Sequence, residues 1–194
     1  MWSHRRRVIG GVFAALVVLA AGVTAAVVRE QPVSSAPSPA EQRFPDVDRS
    51  ALTPLQVQVL DVLRTQFDTQ PPGTVFAEGS DEPWCADFVS WVMQQANAPL
   101  SNPNSGSWRI PGVYTMQEYY AAVSRLEPAS YRPRFGDVVL WGPDSPMGLH
   151  ANIVVAVDGP IVTTVGGNEE GGIRLHRNEI RPDSHLLGYG RLLS

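Results

Sequence analysis

Two patterns and one scarcity predict an α+β fold for this chain. Helical periodicity dominates the first half after residue 50: Leu55, Val59, Leu63 and Phe67 recur every four residues. The second half consists of short apolar runs separated by tight turns, the signature of an antiparallel sheet. Helices first and strands later indicate α+β rather than an alternating, doubly wound architecture. The scarcity is cysteine: Cys85 stands alone in 194 residues, so no disulfide framework staples the fold.

The first residues read as an address. Residues 4–7 are His-Arg-Arg-Arg, and an uncharged run of 21 residues follows from Val8 to Val28. That length falls within the roughly 17–25 residues that span a bilayer as a helix, and exceeds the roughly 7–15 of a signal-peptide apolar region. Residues 1–28 are therefore expected to be a transmembrane anchor. The small residues of Val23–Ala26 leave a cleaved signal peptide as the alternative. Basic residues ahead of the run keep the N-terminus inside, so both readings place the rest of the chain across the membrane. Residues 29–50 mix Pro, Ser, Ala and Gln without apolar period and read as a disordered linker, spanning at most about 70–80 Å. Residues 51–194 form the domain, long enough for one core.

The first helix opens at Thr53, where Gln56 three residues later completes a capping box and Pro54 takes the first helical position. Pro71-Pro72-Gly73 ends it. A loop leads through Pro83 into a second helix, with Cys85 in its first turn and Phe88, Val89, Val92 and Met93 at helical spacing. Residues 99–112 are a Pro, Ser, Asn and Gly-rich loop, and a short helix runs through Tyr119 and Ala122. Strands follow at Val138–Trp141, His150–Val157, Ile161–Gly167, within Gly171–His176, and within His185–Leu193. Asp158-Gly159-Pro160 joins two of them as a hairpin, which brings residues near 150 and 168 to the same end of the sheet.

Charge limits the partners. From residue 51 onward nine Arg face fifteen Asp and Glu, and the chain has no Lys. Nucleic-acid binding calls for a basic surface, so a nucleic-acid partner is not expected. The His residues and the lone Cys show no metal-ligand spacing, and no cofactor or metal is expected.

Cys85 admits two readings: a small buried hydrophobe, or a nucleophile. A helix start supplies unpaired N–H groups and the positive end of the dipole, which favour thiolate and can hold an oxyanion. Asp87 would oppose thiolate formation if it faced the sulfur. His150 heads an apolar strand after a loop and is the candidate base; His176 lies within a strand and His185 in a loop. Asn168, at the same end of the hairpin, is the candidate that orients the imidazole, with Glu169 as the alternative. Trp84 and Trp108 are candidates to line a substrate groove, with packing against the second helix as the alternative for Trp84.

Taken in order, Trp84-Cys85-Ala86-Asp87-Phe88, Gly136-Asp137 with the strand to Trp141, His150 with its strand, and the Gly167-Asn168 turn resemble the CHAP family. These are cysteine, histidine-dependent amidohydrolases and peptidases of papain-like fold, most of which cleave amide bonds in bacterial peptidoglycan. The resemblance spans about residues 75 to 193. It implies Cys85 as nucleophile, His150 as base and Asn168 as third polar residue, with peptidoglycan as partner. Many members carry Glu two residues before that Asn; here the position is Gly166, so Asn168 or Glu169 takes the orienting role. Asn152 stands where a small residue is more usual. Three functions fit these residues: a peptidoglycan amidase or endopeptidase, an acyltransferase using the same thioester, or a non-catalytic envelope-binding domain.

Overall fold

The computed structural model describes residues 43–182 and 184–192. The expected anchor or signal at residues 1–28, and residues 29–42 of the expected linker, lie outside them. Among the described residues no helix is long and apolar enough to cross a membrane.

Three helices and six strands build an α+β fold: α1 (Pro54–Thr69), α2 (Cys85–Gln95), α3 (Val113–Ala122), β1 (Leu126–Glu127), β2 (Val138–Trp141), β3 (His150–Asp158), β4 (Ile161–Glu169), β5 (Gly172–Glu179) and β6 (Leu186–Gly190). Thr53 closes the capping box on α1: its hydroxyl accepts from Gln56 N at 3.3 Å, and Gln56 Oε1 accepts from Thr53 N at 2.9 Å. The apolar stripe buries Val59, Leu60, Leu63 and Phe67. Residues 43–50, read from sequence as linker, lie against this helix. Phe44 meets Phe67 edge-on at 5.6 Å between ring centres, and Arg49 pairs with Asp61.

The sheet is antiparallel at every pairing, in the order β1-β6-β2-β3-β4-β5. One face carries the main core, where Phe88, Val92 and Met93 of α2 and Met116 and Tyr120 of α3 meet Val138, Leu140, Ala151, Ile153 and Val165. The alternate residues Val139, Trp141, Val154, Val162 and Tyr189 form a second cluster on the opposite face, covered by Tyr131, Met147 and Ile180. Strand residues are therefore apolar at successive positions, as a sheet covered on both faces requires.

The β3–β4 hairpin has the register that positions the site. Next to its turn Asp158 opposes Ile161, and a bulge between Val154 and Ala156 shifts the pairing so that Ile153 opposes Val165. Continued toward the strand end, that register carries His150 to the level of Asn168. Edge strand β5 is closed off by Gln70, whose side-chain amide bonds to both N and O of Ile173 at 2.9 Å. Asp137 anchors the end of β2 away from His150. Its carboxylate accepts from Arg134 N (2.8 Å), Leu192 N (2.9 Å) and the Tyr131 hydroxyl (3.2 Å).

Candidate active site

Cys85 is the first residue of α2 and is almost wholly buried. Trp84, the N-cap residue, supplies no side-chain cap. The first-turn N–H groups of α2 therefore have no side-chain acceptor from the cap position. The helix start is seated on β4 through a close approach at Gly167: a Cβ there would stand 2.8 Å from Phe88 Cβ and collide with the Trp84 ring. Trp84 also stacks on Phe76 at 5.2 Å and 17°. Of the two readings of this tryptophan, groove lining and packing, the ring is committed to packing, with only 8% of the residue exposed. Trp108 is partly buried in the loop before α3.

His150 opens β3 opposite Trp141, at the end of the sheet where α2 begins. Its Nε2 lies 2.7 Å from Glu169 Oε1. The ring also interacts with the Cys85 side chain. With Nε2 committed to the carboxylate, Nδ1 is the nitrogen left for the sulfur. Burial pulls the imidazole toward neutrality, yet the bonds to Cys85 and Glu169 outweigh it and push the pKa up to about 9. An imidazolium beside the thiol is therefore the form the site favours near neutral pH.

Glu169 is the carboxylate that meets His150, and Asn168 is not the residue in that contact. Asn168 adopts a left-handed conformation (φ 61°) at an irregularity between β4 and β5, and its side chain is exposed. The kink breaks strand alternation and turns Glu169 back over Gly166. A Cβ on Gly166 would collide with Glu169 Oε1 and stand 2.9 Å from Asn152 Cβ. The carboxylate thus fills the space above Gly166 and arrives from three residues downstream. The Gly166-Gly167 pair is the sequence signal for this, since one glycine admits the carboxylate and the other admits Trp84.

Sequence reasoning set His176 aside as a strand residue. On β5, its Nε2 stands 2.6 Å from Glu169 Oε2. That oxygen is buried and meets no well-aligned donor, so the contact is a close ion pair rather than a linear hydrogen bond. Glu169 consequently has a histidine on each oxygen. Burial raises its pKa, but the two histidines prevail and hold it below the usual carboxylate value. His176 is raised from its ordinary value, chiefly by the contact with Glu169. His185 is exposed, with its backbone carbonyl bonded to Gly142 N.

Asp87 does not act as a free anion beside the sulfur. Arg109 Nε donates to its Oδ1 at 2.7 Å, and the same guanidinium pairs with Glu82. Burial pushes the Asp87 pKa up against the pull of Arg109. Arg109 belongs to the loop before α3, so this pair ties that loop to the first turn of α2. Among the described residues no cluster of His, Cys, Asp and Glu is arranged to hold a metal ion.

Comparison with known families agrees with this geometry. The CHAP domain model matches residues 77–168, a span that takes in Cys85 and His150 and ends one residue before Glu169. No curated protein and no solved structure matches the chain significantly.

Proposed function

We propose that this chain, which belongs to the CHAP family through its domain at residues 77–168, hydrolyses amide bonds of peptidoglycan with Cys85, His150 and Glu169. The family makes a cysteine-dependent amidase or peptidase the general expectation, typically acting on peptidoglycan. The observation that carries the proposal is one imidazole, held at 2.7 Å by a buried carboxylate and interacting with the lone thiol. Such an arrangement activates a nucleophile, because an imidazolium next to sulfur favours the thiolate.

In the proposed reaction the Cys85 sulfur attacks the amide carbonyl, forming a C–S bond and placing negative charge on oxygen. In this reading the uncapped first-turn N–H groups of α2 stabilise that oxygen. Collapse of the adduct breaks the C–N bond, and the His150 proton goes to the departing amine. Water then attacks the thioester, His150 takes a proton from it, and the acid leaves with Cys85 restored. Glu169 keeps Nε2–H of His150 in place throughout, so Nδ1 is the nitrogen that exchanges the proton. The bond cleaved is within the stem peptide or crosslink (an endopeptidase) or between glycan and peptide (an N-acetylmuramoyl-L-alanine amidase). In the same proposal this activity lies outside the cytoplasm, tethered to the membrane or secreted, a reading supported by the basic residues and 21-residue apolar run at the N-terminus.

The test compares the full chain, purified reduced, with its Cys85→Ala variant on defined peptidoglycan fragments, weighing the products by mass spectrometry. New amine and carboxylate ends from the unaltered protein alone support the proposal and identify the bond. Equal product from both proteins contradicts it.

A further inference from the structure

Glu169 is a buried carboxylate that the proposed reaction needs ionised, and a single histidine partner would leave its second oxygen without a counter-charge. His176 occupies that second side. The two carboxylate oxygens are divided between two rings: Oε1 to His150 at 2.7 Å and Oε2 to His176 at 2.6 Å. The side chains of Glu169 and His150 are 5% and 9% exposed, whereas that of His176 is 37% exposed. The chain of contacts thus runs from the buried sulfur through His150 and Glu169 to a ring that reaches solvent.

We propose that His176 is a positioning residue of the thiol site, acting through Glu169 to keep the carboxylate ionised and its Oε1 on His150. This rests on the reading of Cys85 and His150 as the reacting pair. It does not require His176 to touch substrate. The physical case is that a buried anion is costly unless it is both paired and hydrogen-bonded. One ion pair with His150 does not suffice, because the ring's positive charge is shared with Cys85 and is lost whenever Nδ1 gives up its proton. A second cation on the far oxygen offsets the burial cost without competing for Nε2.

The charged neighbours of His176 support the assignment. His150 from β3 opposes its protonation, and Glu169 and Glu170 favour it. Arg174, two residues earlier on β5, lies 3.8 Å from Glu170 Oε2. From the α1 side the polar group reaching β5 is the neutral amide of Gln70. Cys85 on α2 acts on His150, and His150 and His176 meet through Glu169. Glu169 is therefore the group through which a change at His176 reaches the sulfur.

The experiment follows the His150 Nε2–H proton by NMR between pH 3 and 8 in the full chain, its His176→Ala variant and its His176→Gln variant. That resonance reports protonation of Glu169 directly and needs no substrate. With His176→Ala the midpoint rises by about one pH unit, a tenfold change in the protonation equilibrium. His176→Gln keeps a donor without charge and falls between the other two. In parallel, the acid limb of hydrolysis moves upward with the same order among the three proteins, through kcat rather than KM. An unchanged NMR midpoint in both variants overturns the proposal, and the Gln variant supplies this reading if the Ala variant misfolds. A shifted midpoint in a chain that hydrolyses no fragment upholds the His176 assignment while removing the hydrolase reading.

Discussion

His150 sits between two opposing influences, and the balance between them sets the pH behaviour of the site. Burial favours the neutral ring, while Cys85 and Glu169 favour the charged one and prevail, raising the pKa from 6.5 to about 9. A group raised in the folded state stabilises the fold fully below its unfolded pKa. His150 therefore contributes below 6.5, and that contribution is lost as pH rises through about 9. Glu169 is depressed, so its contribution is present above the ordinary value of 4.5 and is lost as pH falls through its folded value. Thermal melts across pH should show the highest Tm between these windows, declining on both sides. Glu169→Gln removes the charge and keeps the shape. It should bring the alkaline limb of the rate profile down from about pH 9 and lower kcat by about 10²-fold. A Gln variant with an unaltered alkaline limb would show that Glu169 does not tune the imidazole. The placements of Cys85 at a helix start and His150 at a strand start were legible in the sequence because each needs only local patterning. Which of Asn168 and Glu169 meets His150 was not, because strand alternation points them to opposite faces and only the left-handed turn at Asn168 decides between them.

At the scale of elements, the site depends on how closely the start of α2 approaches β4. Gly167 permits that approach, and Gly167→Ala would drive a methyl group into Trp84 and Phe88. The variant should lose activity and at least about 1–3 kcal/mol of stability, as overpacked cores do, measured by urea unfolding beside a hydrolysis assay. By contrast, Thr53→Ala deletes half of the α1 capping box far from the sulfur. It should cost about 1 kcal/mol and leave kcat unchanged. The capping box, the lengths of α1 and α2 and the β3–β4 hairpin were readable because each rests on residues near one another in sequence. The two-residue strand β1 was not readable, since Leu126–Glu127 carries no alternation and is defined only by its partner β6 some sixty residues later. The bulge between Val154 and Ala156 escaped for a similar reason: nothing local in an unbroken apolar run marks the residue that loses its partner. The interval from His150 to Asn168 was nevertheless placed at the same sheet end.

Across the whole molecule, the two ends of β2 divide the labour of reaction and stability. Trp141 at one end lies opposite His150, and Asp137 at the other ties the Arg134 turn and the C-terminal segment to the sheet. The Gly136-Asp137 pair that helps mark the family in sequence is therefore a structural clamp, remote from the thiol. Asp137→Asn should destabilise the fold by about 1–3 kcal/mol, read from urea midpoints, while the surviving folded protein keeps its kcat. The sheet is covered on both faces, and the helices present one side chain of the proposed site, Cys85, to a sheet end that carries the other two. The proposed chemistry requires that a covalent thioester form on that sulfur. Intact-mass analysis of the full chain, quenched in acid during turnover of peptidoglycan fragments, tests this most directly. A mass gain equal to the acyl product, mapped to Cys85 and absent from Cys85→Ala, is the expected result. Sustained turnover with Cys85 unmodified, or with alanine in its place, would contradict it.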